Sequence, residues 1–219
     1  MTKFLSIALI SLVLCSCGGN EDSTKQEKIK KQEKSKEMKH VAWSENATIY
    51  EANIRQMTPE GTFKALEGQL NNIRDLGVEI IWLMPVQPIG KLNRKGGMGS
   101  YYSVMDYTAV NPEFGSMNDF KSLVNKAHEM GMKILIDWVA NHTSWDNVWT
   151  IEHPEWFTKD GDGNFVPPVP DWSDVIDLNY DNMQMRAAMI EAMRFWVVET
   201  DIDGFRCDVA GMVPTEFWN

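Results

Sequence analysis

From residue 47 onward, apolar runs of strand length alternate with amphipathic segments of helical period, and this alternation restricts the possible folds more than any other feature. In the segment 62–77, apolar residues recur every three or four positions and the pattern stops at Gly77. Four runs predict strands, at 47–54, 78–86, 132–141 and 202–210. Strands that alternate with helices indicate a parallel sheet.

Two parallel architectures compete. A doubly wound nucleotide-binding sheet would need a Gly-rich turn after its first strand, and residues 54–63, IRQMTPEGTF, contain no G-x-G-x-x-G. A barrel gathers its site at the carboxyl ends of its strands, and polar clusters follow the predicted strands as NIRQ, MPVQP, DWVANH and RCDVA. We therefore predict the α/β class and the N-terminal half of a TIM (β/α)₈ barrel at 41–219, with a long aromatic-rich loop at 142–180 after the third strand.

The charge balance of the chain disfavours nucleic acid as a partner. The chain has 21 Lys and Arg against 31 Asp and Glu, a formal net charge of -10. Most of the acidic excess lies beyond residue 40, because 8 of the basic but only 5 of the acidic residues precede residue 41. We expect no nucleic-acid partner, while a neutral polyhydroxyl substrate is compatible with such a surface.

The N-terminus is predicted to direct export. Lys3 precedes an apolar run, 4–14, that is too short to span a bilayer, and LCSC at 14–17 resembles the lipobox of bacterial lipoproteins. Residues 1–17 are therefore interpreted as a lipoprotein signal peptide with Cys17 as the lipidated residue; an ordinary signal peptide is the alternative. We expect a lipid anchor that holds the protein to the bacterial membrane, at the cell surface or in the periplasm.

Residues 18–40 are charged and lack aromatic side chains. This composition predicts a flexible linker, because little apolar surface is available for burial. A basic helix on the membrane surface is the competing interpretation, which the scarcity of apolar residues disfavours.

The fourth predicted strand contains an ion pair. Arg206 and Asp208 are two residues apart and should face the same way, because strand side chains alternate between faces. At the mouth of a barrel, a bidentate arginine would keep a catalytic carboxylate ionised and fix its orientation. A structural pair in the barrel core is equally consistent with the spacing.

DWVANH at 137–142 and GFRCDVA at 204–210 stand at the ends of the third and fourth predicted strands. They resemble the ends of the third and fourth strands in the alpha-amylase family, glycoside hydrolase family 13. GSYYSVMDYTAVNPEFGS at 99–116 and VIDLNYDN at 175–182 match less strictly. The four segments follow the family's order, and the resemblance covers nearly everything from residue 47 onward.

The resemblance implies roles for five residues. Asp208 matches the nucleophile that forms a covalent glycosyl-enzyme, Arg206 the arginine that holds it, and Asp137 the aspartate paired with that arginine. His142 matches the histidine that hydrogen-bonds the sugar in the cleavage subsite, and Tyr102 the tyrosine that stacks beneath this sugar. An anion, an aromatic platform and hydrogen-bond donors suit an oxocarbenium-like transition state.

Calcium is the one cofactor that the resemblance suggests. Asn141 and Asp177 match calcium-binding positions of many family members, and oxygen ligands suit this ion. However, VAGM after Asp208 lacks the Lys-His pair of many calcium-dependent members, and DLN at 177–179 resembles relatives without this calcium. DGDGNF at 160–165 imitates an EF-hand loop, but Phe165 replaces the required glycine, so a hairpin turn is predicted there.

The resemblance implies a retaining glycoside hydrolase of the alpha-amylase type, which cleaves α-1,4-glucosidic bonds in starch-like glucans or maltooligosaccharides. The family's general acid is a glutamate after the fifth strand, and the sequence ends at TEFWN before such a strand. We therefore expect the N-terminal part of a longer protein, inactive by itself. The alternatives are a transglycosylating relative, such as a branching enzyme, and a non-catalytic surface glycan-binding lipoprotein.

Overall fold

The computed structural model describes residues 40–219. The predicted signal peptide, Cys17 and the linker up to residue 39 lie outside the described residues. The chain divides into two compact units, Met1–Glu45 and Asn46–Asn219, and the described end of the first contains the 3-10 helix Ala42–Ser44. Within 40–219, none of the helices has the length and apolar character that a membrane crossing requires.

Four parallel strands form the central sheet of the second unit. Within the described residues the strands are β1 (Ile49–Ala52), β2 (Ile80–Leu83), β3 (Lys133–Trp138), β4 (His142–Ser144), β5 (Val175–Asp177) and β6 (Gly204–Cys207). The sheet has the order β1-β2-β3-β6, and its register pairs Leu83 with Ile136 and Asp137 with Arg206. The parallel sheet predicted from the sequence is confirmed, and its carboxyl ends share one edge.

Seven α-helices connect and cover these strands within the described residues. They are α1 (Ile54–Met57), α2 (Phe63–Glu67), α3 (Leu70–Asp75), α4 (Met117–Glu129), α5 (Val148–Glu152), α6 (Met183–Thr200) and α7 (Thr215–Trp218). The helix predicted at 62–77 is two helices, since Gly68 ends α2 and a glycine weakens a helix interior. α4 starts with a capping box between Ser116 and Asp119.

Buried aromatic rings join the helices and the sheet in one core. Phe120 of α4 meets Phe63 of α2 and Trp196 of α6, each edge to face with ring centroids 5.3 Å apart. The Trp196 indole N–H also donates to the carbonyl of Tyr107 at 2.6 Å. This core fixes the sheet edge from which the polar clusters project.

The aromatic-rich segment 142–180 follows β3, as predicted, but it contains regular structure of its own. β4 and β5 pair antiparallel, and His142 lies opposite Asp177. An isolated bridge between Lys159 and Phe165 confirms the predicted hairpin turn, in which the Asp160 carboxylate accepts two backbone N–H groups. Three-residue strands are too short to give a detectable period, so the sequence did not reveal them.

Candidate active site

The carboxyl ends of β3 and β6 bring together the three charged residues that the sequence singled out. One nitrogen of Arg206, Nη1, donates to both oxygens of Asp137, at 3.0 and 3.1 Å. The same nitrogen donates to Oδ1 of Asp208 at 2.9 Å. The predicted cluster therefore forms, but Arg206 bridges two carboxylates through one nitrogen. A bidentate arginine would bind Asp208 through two nitrogens, and this expectation was wrong. Asp137 lies in register beside Arg206 and competes for the guanidinium.

Asp137 is the buried anchor of this cluster. Its side chain is fully enclosed, and its Oδ2 accepts hydrogen bonds from the Trp82 indole N–H and the Tyr102 hydroxyl, both at 3.2 Å. Burial raises the pKa of Asp137 to about 6, against the opposing effect of Arg206. Asp208 instead keeps 15% of its side-chain surface exposed. Asp208 is therefore the carboxylate of the pair that a ligand can reach.

Trp82 is a site residue that the sequence analysis missed. It belongs to β2, and its ring lies beneath the Arg206 guanidinium, with Cζ 4.6 Å from the ring centroid. The ring thus contacts the cation by a cation–π interaction while its N–H binds Asp137. The available signal was a tryptophan near the end of a predicted barrel strand, but nothing in its spacing separates it from a core residue.

Tyr102 lies in the Gly-rich segment between β2 and α4. Its hydroxyl group bonds to Asp137, and burial together with the charge of Asp137 raises the pKa of the phenol. The preceding ring, Tyr101, stacks under the Arg55 guanidinium with Cζ 4.4 Å from the ring centroid. The loop that presents Tyr102 is therefore held by contacts on both sides. Stacking of the Tyr102 ring against a sugar stays a prediction.

His142 begins β4 and is buried. The Tyr107 hydroxyl reaches the carbonyl oxygens of Val139 and His142, at 2.7 and 3.1 Å, and so fixes the backbone between β3 and β4. Burial lowers the pKa of His142 to about 4, although the charges of Asp208 and Asp174 oppose this shift. The imidazole is therefore neutral at neutral pH and can both donate and accept a hydrogen bond.

We expect His142 to titrate with a midpoint near pH 4 in the folded protein, well below the ordinary value of 6.5. The sign follows from burial, which disfavours the imidazolium, so the ring gains its proton only as the pH falls towards 4. The histidine ring signals can be followed by NMR between pH 3.5 and 8, with His142→Gln to assign the resonance. A His142 midpoint at or above 6.5 would contradict the inferred environment.

The backbone turns sharply immediately after Asp208. Val209 has φ 40° and ψ 39°, in the left-handed region that β-branched residues rarely adopt. The Asp208 N–H still donates to the carbonyl of Trp138 at 2.9 Å, so the strand ladder ends at that residue. The strained turn therefore coincides with the point where the Asp208 side chain leaves the sheet.

A cavity of about 430 Å³ opens at this edge of the sheet. Three residues that the sequence predicted as site residues line it: Tyr102, His142 and Asp208. Lys95, Trp172 and Asp174 also line the cavity. A reachable carboxylate, an aromatic ring and a neutral imidazole around a cavity of ligand size can bind a polyhydroxyl compound and stabilise a cationic centre in it.

The suggested calcium ligands lie on neighbouring segments but have other contacts. The Asp177 carboxylate accepts a hydrogen bond from the Thr158 hydroxyl at 2.7 Å, and the Asn141 amide nitrogen lies 3.3 Å from Nδ1 of His142. Across residues 40–219, no three His, Cys, Asp or Glu side chains form a group suited to a metal ion. Calcium binding stays a prediction.

Comparison with known proteins gives consistent matches. The family model for the catalytic domain of alpha amylase matches residues 21–170 and 169–218. Alpha-amylase 3 of Dictyoglomus thermophilum is 32% identical over 196 residues, which cover 77% of this chain and 37% of that protein. Trehalose synthase of Pimelobacter sp. is 31% identical over 205 residues, which cover 76% of this chain and 34% of the synthase. The chain thus spans about a third of the length of these two relatives.

Solved structures agree in fold. An alpha-amylase from Lactobacillus plantarum has a TM-score of 0.77 and 46% identity, over 78% of this chain and 40% of that one. A noncanonic maltogenic alpha-amylase from Thermotoga neapolitana has a TM-score of 0.73 and 44% identity, over 78% of this chain and 41% of that one. These structures bear out the partial barrel predicted from the sequence.

Proposed function

Since this chain belongs to the alpha-amylase catalytic-domain family, we propose that it supplies the nucleophile of a retaining glycoside hydrolase that cleaves α-1,4-glucosidic bonds in starch-like glucans or maltooligosaccharides. One observation supports this proposal most. Asp208 faces a ligand-sized cavity and accepts a hydrogen bond from Arg206, which is itself bound to the buried Asp137.

The proposed reaction has two steps. An oxygen of Asp208 attacks the anomeric carbon, the glycosidic C–O bond breaks, and a general acid protonates the departing sugar oxygen. Water then attacks the anomeric carbon of the glycosyl ester, gives a proton to the same acid residue and releases Asp208. Arg206 orients Asp208, and the neutral His142 can hydrogen-bond a sugar hydroxyl group throughout.

The general acid is proposed to be the glutamate that follows the fifth strand in this family. Glu199 and Glu216 do not suit this role, because they are largely exposed and pair with Lys121 and Arg186, at 3.4 and 3.6 Å. The proposal therefore concerns the complete product of the gene that encodes this chain.

The cavity also favours a neutral substrate. Asp174 and Asp208 contribute two carboxylates to its wall and Lys95 one ammonium group, so a phosphate group would meet net negative charge. A neutral glucan meets no such penalty. The names of the relatives include transferases as well as hydrolases, so transfer to a sugar acceptor in place of water is the alternative reaction.

The proposal can be tested with the complete gene product on maltoheptaose. We expect one new reducing end per bond cleaved, shorter maltooligosaccharides, and products released first as the α-anomer, because two inversions retain configuration. Products longer than maltoheptaose without new reducing ends would instead indicate a transglycosylase. Binding of maltoheptaose without any cleavage would indicate a glycan-binding protein.

We further propose that the protein is exported and anchored to the bacterial membrane by a lipid on Cys17. The support is the Lys3 start, the apolar run and the LCSC segment. Cell fractionation of the wild type and Cys17→Ala tests this, since the variant should leave the membrane fraction. A wild type that is found only in the soluble fraction would refute the anchor.

A further inference from the structure

The cavity beside Asp208 extends past the predicted site residues to a second charged pair. Nζ of Lys95, in the segment between β2 and α4, lies 3.4 Å from Oδ1 of Asp174, next to β5. Both residues line the cavity. The Asp174 side chain is 10% exposed, whereas that of Lys95 is 51% exposed. A nearly buried carboxylate thus faces the cavity with a half-exposed cation beside it.

This carboxylate has acceptor capacity to spare. Within residues 40–219 its oxygens accept no hydrogen bond, and the Lys95 ion pair is their one polar contact. An ionised carboxylate has about four lone-pair sites, so most of them are open to a ligand. A nearly buried carboxylate with open lone-pair sites favours a ligand that bears hydroxyl groups, because the hydroxyl groups of the ligand would donate hydrogen bonds to those sites.

Lys95 is held where it can act with Asp174. Its ammonium group also donates to the backbone carbonyl of Asp171, which fixes the nitrogen at the cavity wall. An ammonium group has three N–H donors, so one donor remains beyond these two contacts. Trp172 lies between Asp171 and Asp174 in the sequence. Its ring meets the His142 ring edge to face, with the ring centroids 5.4 Å apart. The wall therefore presents a donor, an acceptor and an aromatic surface.

We propose that Asp174 and Lys95 form a specificity-determining pair that binds neighbouring hydroxyl groups of the sugar unit next to the one held over Asp208. Asp174 accepts a hydrogen bond from one hydroxyl group, and Lys95 donates to the oxygen of the other. This inference rests on the proposed function, and the ligand class is an unsubstituted neutral oligosaccharide. Together the pair selects how the chain is placed relative to the cleaved bond.

The competing explanation is that the pair only ties two loops together. An ion pair with one exposed partner adds little stability by itself. A tie of this kind would affect the overall rate but not the choice of bond. The pattern of products therefore separates the two explanations, because the affinity of one sugar-binding position decides which bond lies over Asp208.

The test uses the complete gene product and maltopentaose labelled at its reducing end. Asp174→Asn keeps the shape but removes the anionic acceptor, and Lys95→Met removes the donor on a residue whose loss should leave folding intact. We expect kcat/KM to fall about 10-fold or more in Asp174→Asn and the ratio of products from adjacent bonds to change at least about fivefold. Lys95→Met should shift the ratio in the same direction.

Two exposed residues on the same segments provide matched controls, Asp162→Asn and Lys91→Met, and both should leave the rate and the ratio unchanged. An unchanged ratio in Asp174→Asn and Lys95→Met, with or without a slower rate, would overturn the inference while the proposed function stands. A wild type that cleaves no maltooligosaccharide would refute the proposed function and this inference with it.

Discussion

Asp208→Asn is expected to remove nearly all glycosidic cleavage by the complete gene product, with kcat lowered roughly 10⁴-fold or more. The amide that replaces the carboxylate is a poor nucleophile and carries no charge to stabilise an oxocarbenium-like centre. Folding should be preserved, because Arg206 keeps its two hydrogen bonds to Asp137. Reducing-sugar release from soluble starch and maltoheptaose measures the effect.

The matched control is Asp181→Asn, an exposed aspartate outside the site, which should retain the wild-type rate. Peptide mapping of the wild type after reaction with an activated fluorosugar identifies the nucleophile directly, since the glycosyl group should be found on Asp208. If Asp208→Asn kept more than about a tenth of the wild-type kcat, Asp208 and Arg206 would be a structural pair, because loss of a true nucleophile costs far more.

Arg206→Met is expected to lower kcat about 10²- to 10³-fold, the range found when one preorganised electrostatic contact is removed. The change removes the cation that Asp137 and Asp208 share, so Asp208 loses the hydrogen bond that orients it. It also leaves Asp137 buried beside Trp82 and Tyr102 without a counter-charge. The pKa of Asp137, already raised to about 6, should rise further, and the group should be protonated at neutral pH.

Arg206→Lys serves as the conservative variant, because it retains the charge on a shorter stem that cannot reach both carboxylates equally. We expect its kcat to lie between those of the wild type and Arg206→Met. Arg194→Met, which removes an exposed arginine of α6, should have no effect on kcat. Equal rates for Arg206→Met and the wild type on maltoheptaose would show that Asp208 needs no such support.

Parts of the fold could be predicted from the sequence because they depend on local patterns. α6 is one such element, because Met185, Met189, Ala192 and Trp196 recur every three or four positions on its buried face after the capping residue Asn182. The break within 62–77 was missed, because a single glycine is tolerated in many helices. The short strands β4 and β5 were missed because each has only three residues.

In the candidate site, too, some features follow from local sequence pattern and others only from packing. The sequence alone determined that Arg206 and Asp208 share a face, since side-chain alternation is a property of any strand. It also placed Asp137 and His142 at the same edge of the sheet, since parallel strands end together.

Only the tertiary structure decided which groups meet across long stretches of chain. Asp137 binds Trp82 and Tyr102, which lie 55 and 35 positions away in sequence, and Lys95 meets Asp174. The left-handed turn at Val209 and the burial that makes His142 neutral were equally invisible in the sequence. The physical reason is that contact, burial and backbone strain depend on how distant segments pack, and no local period encodes that packing.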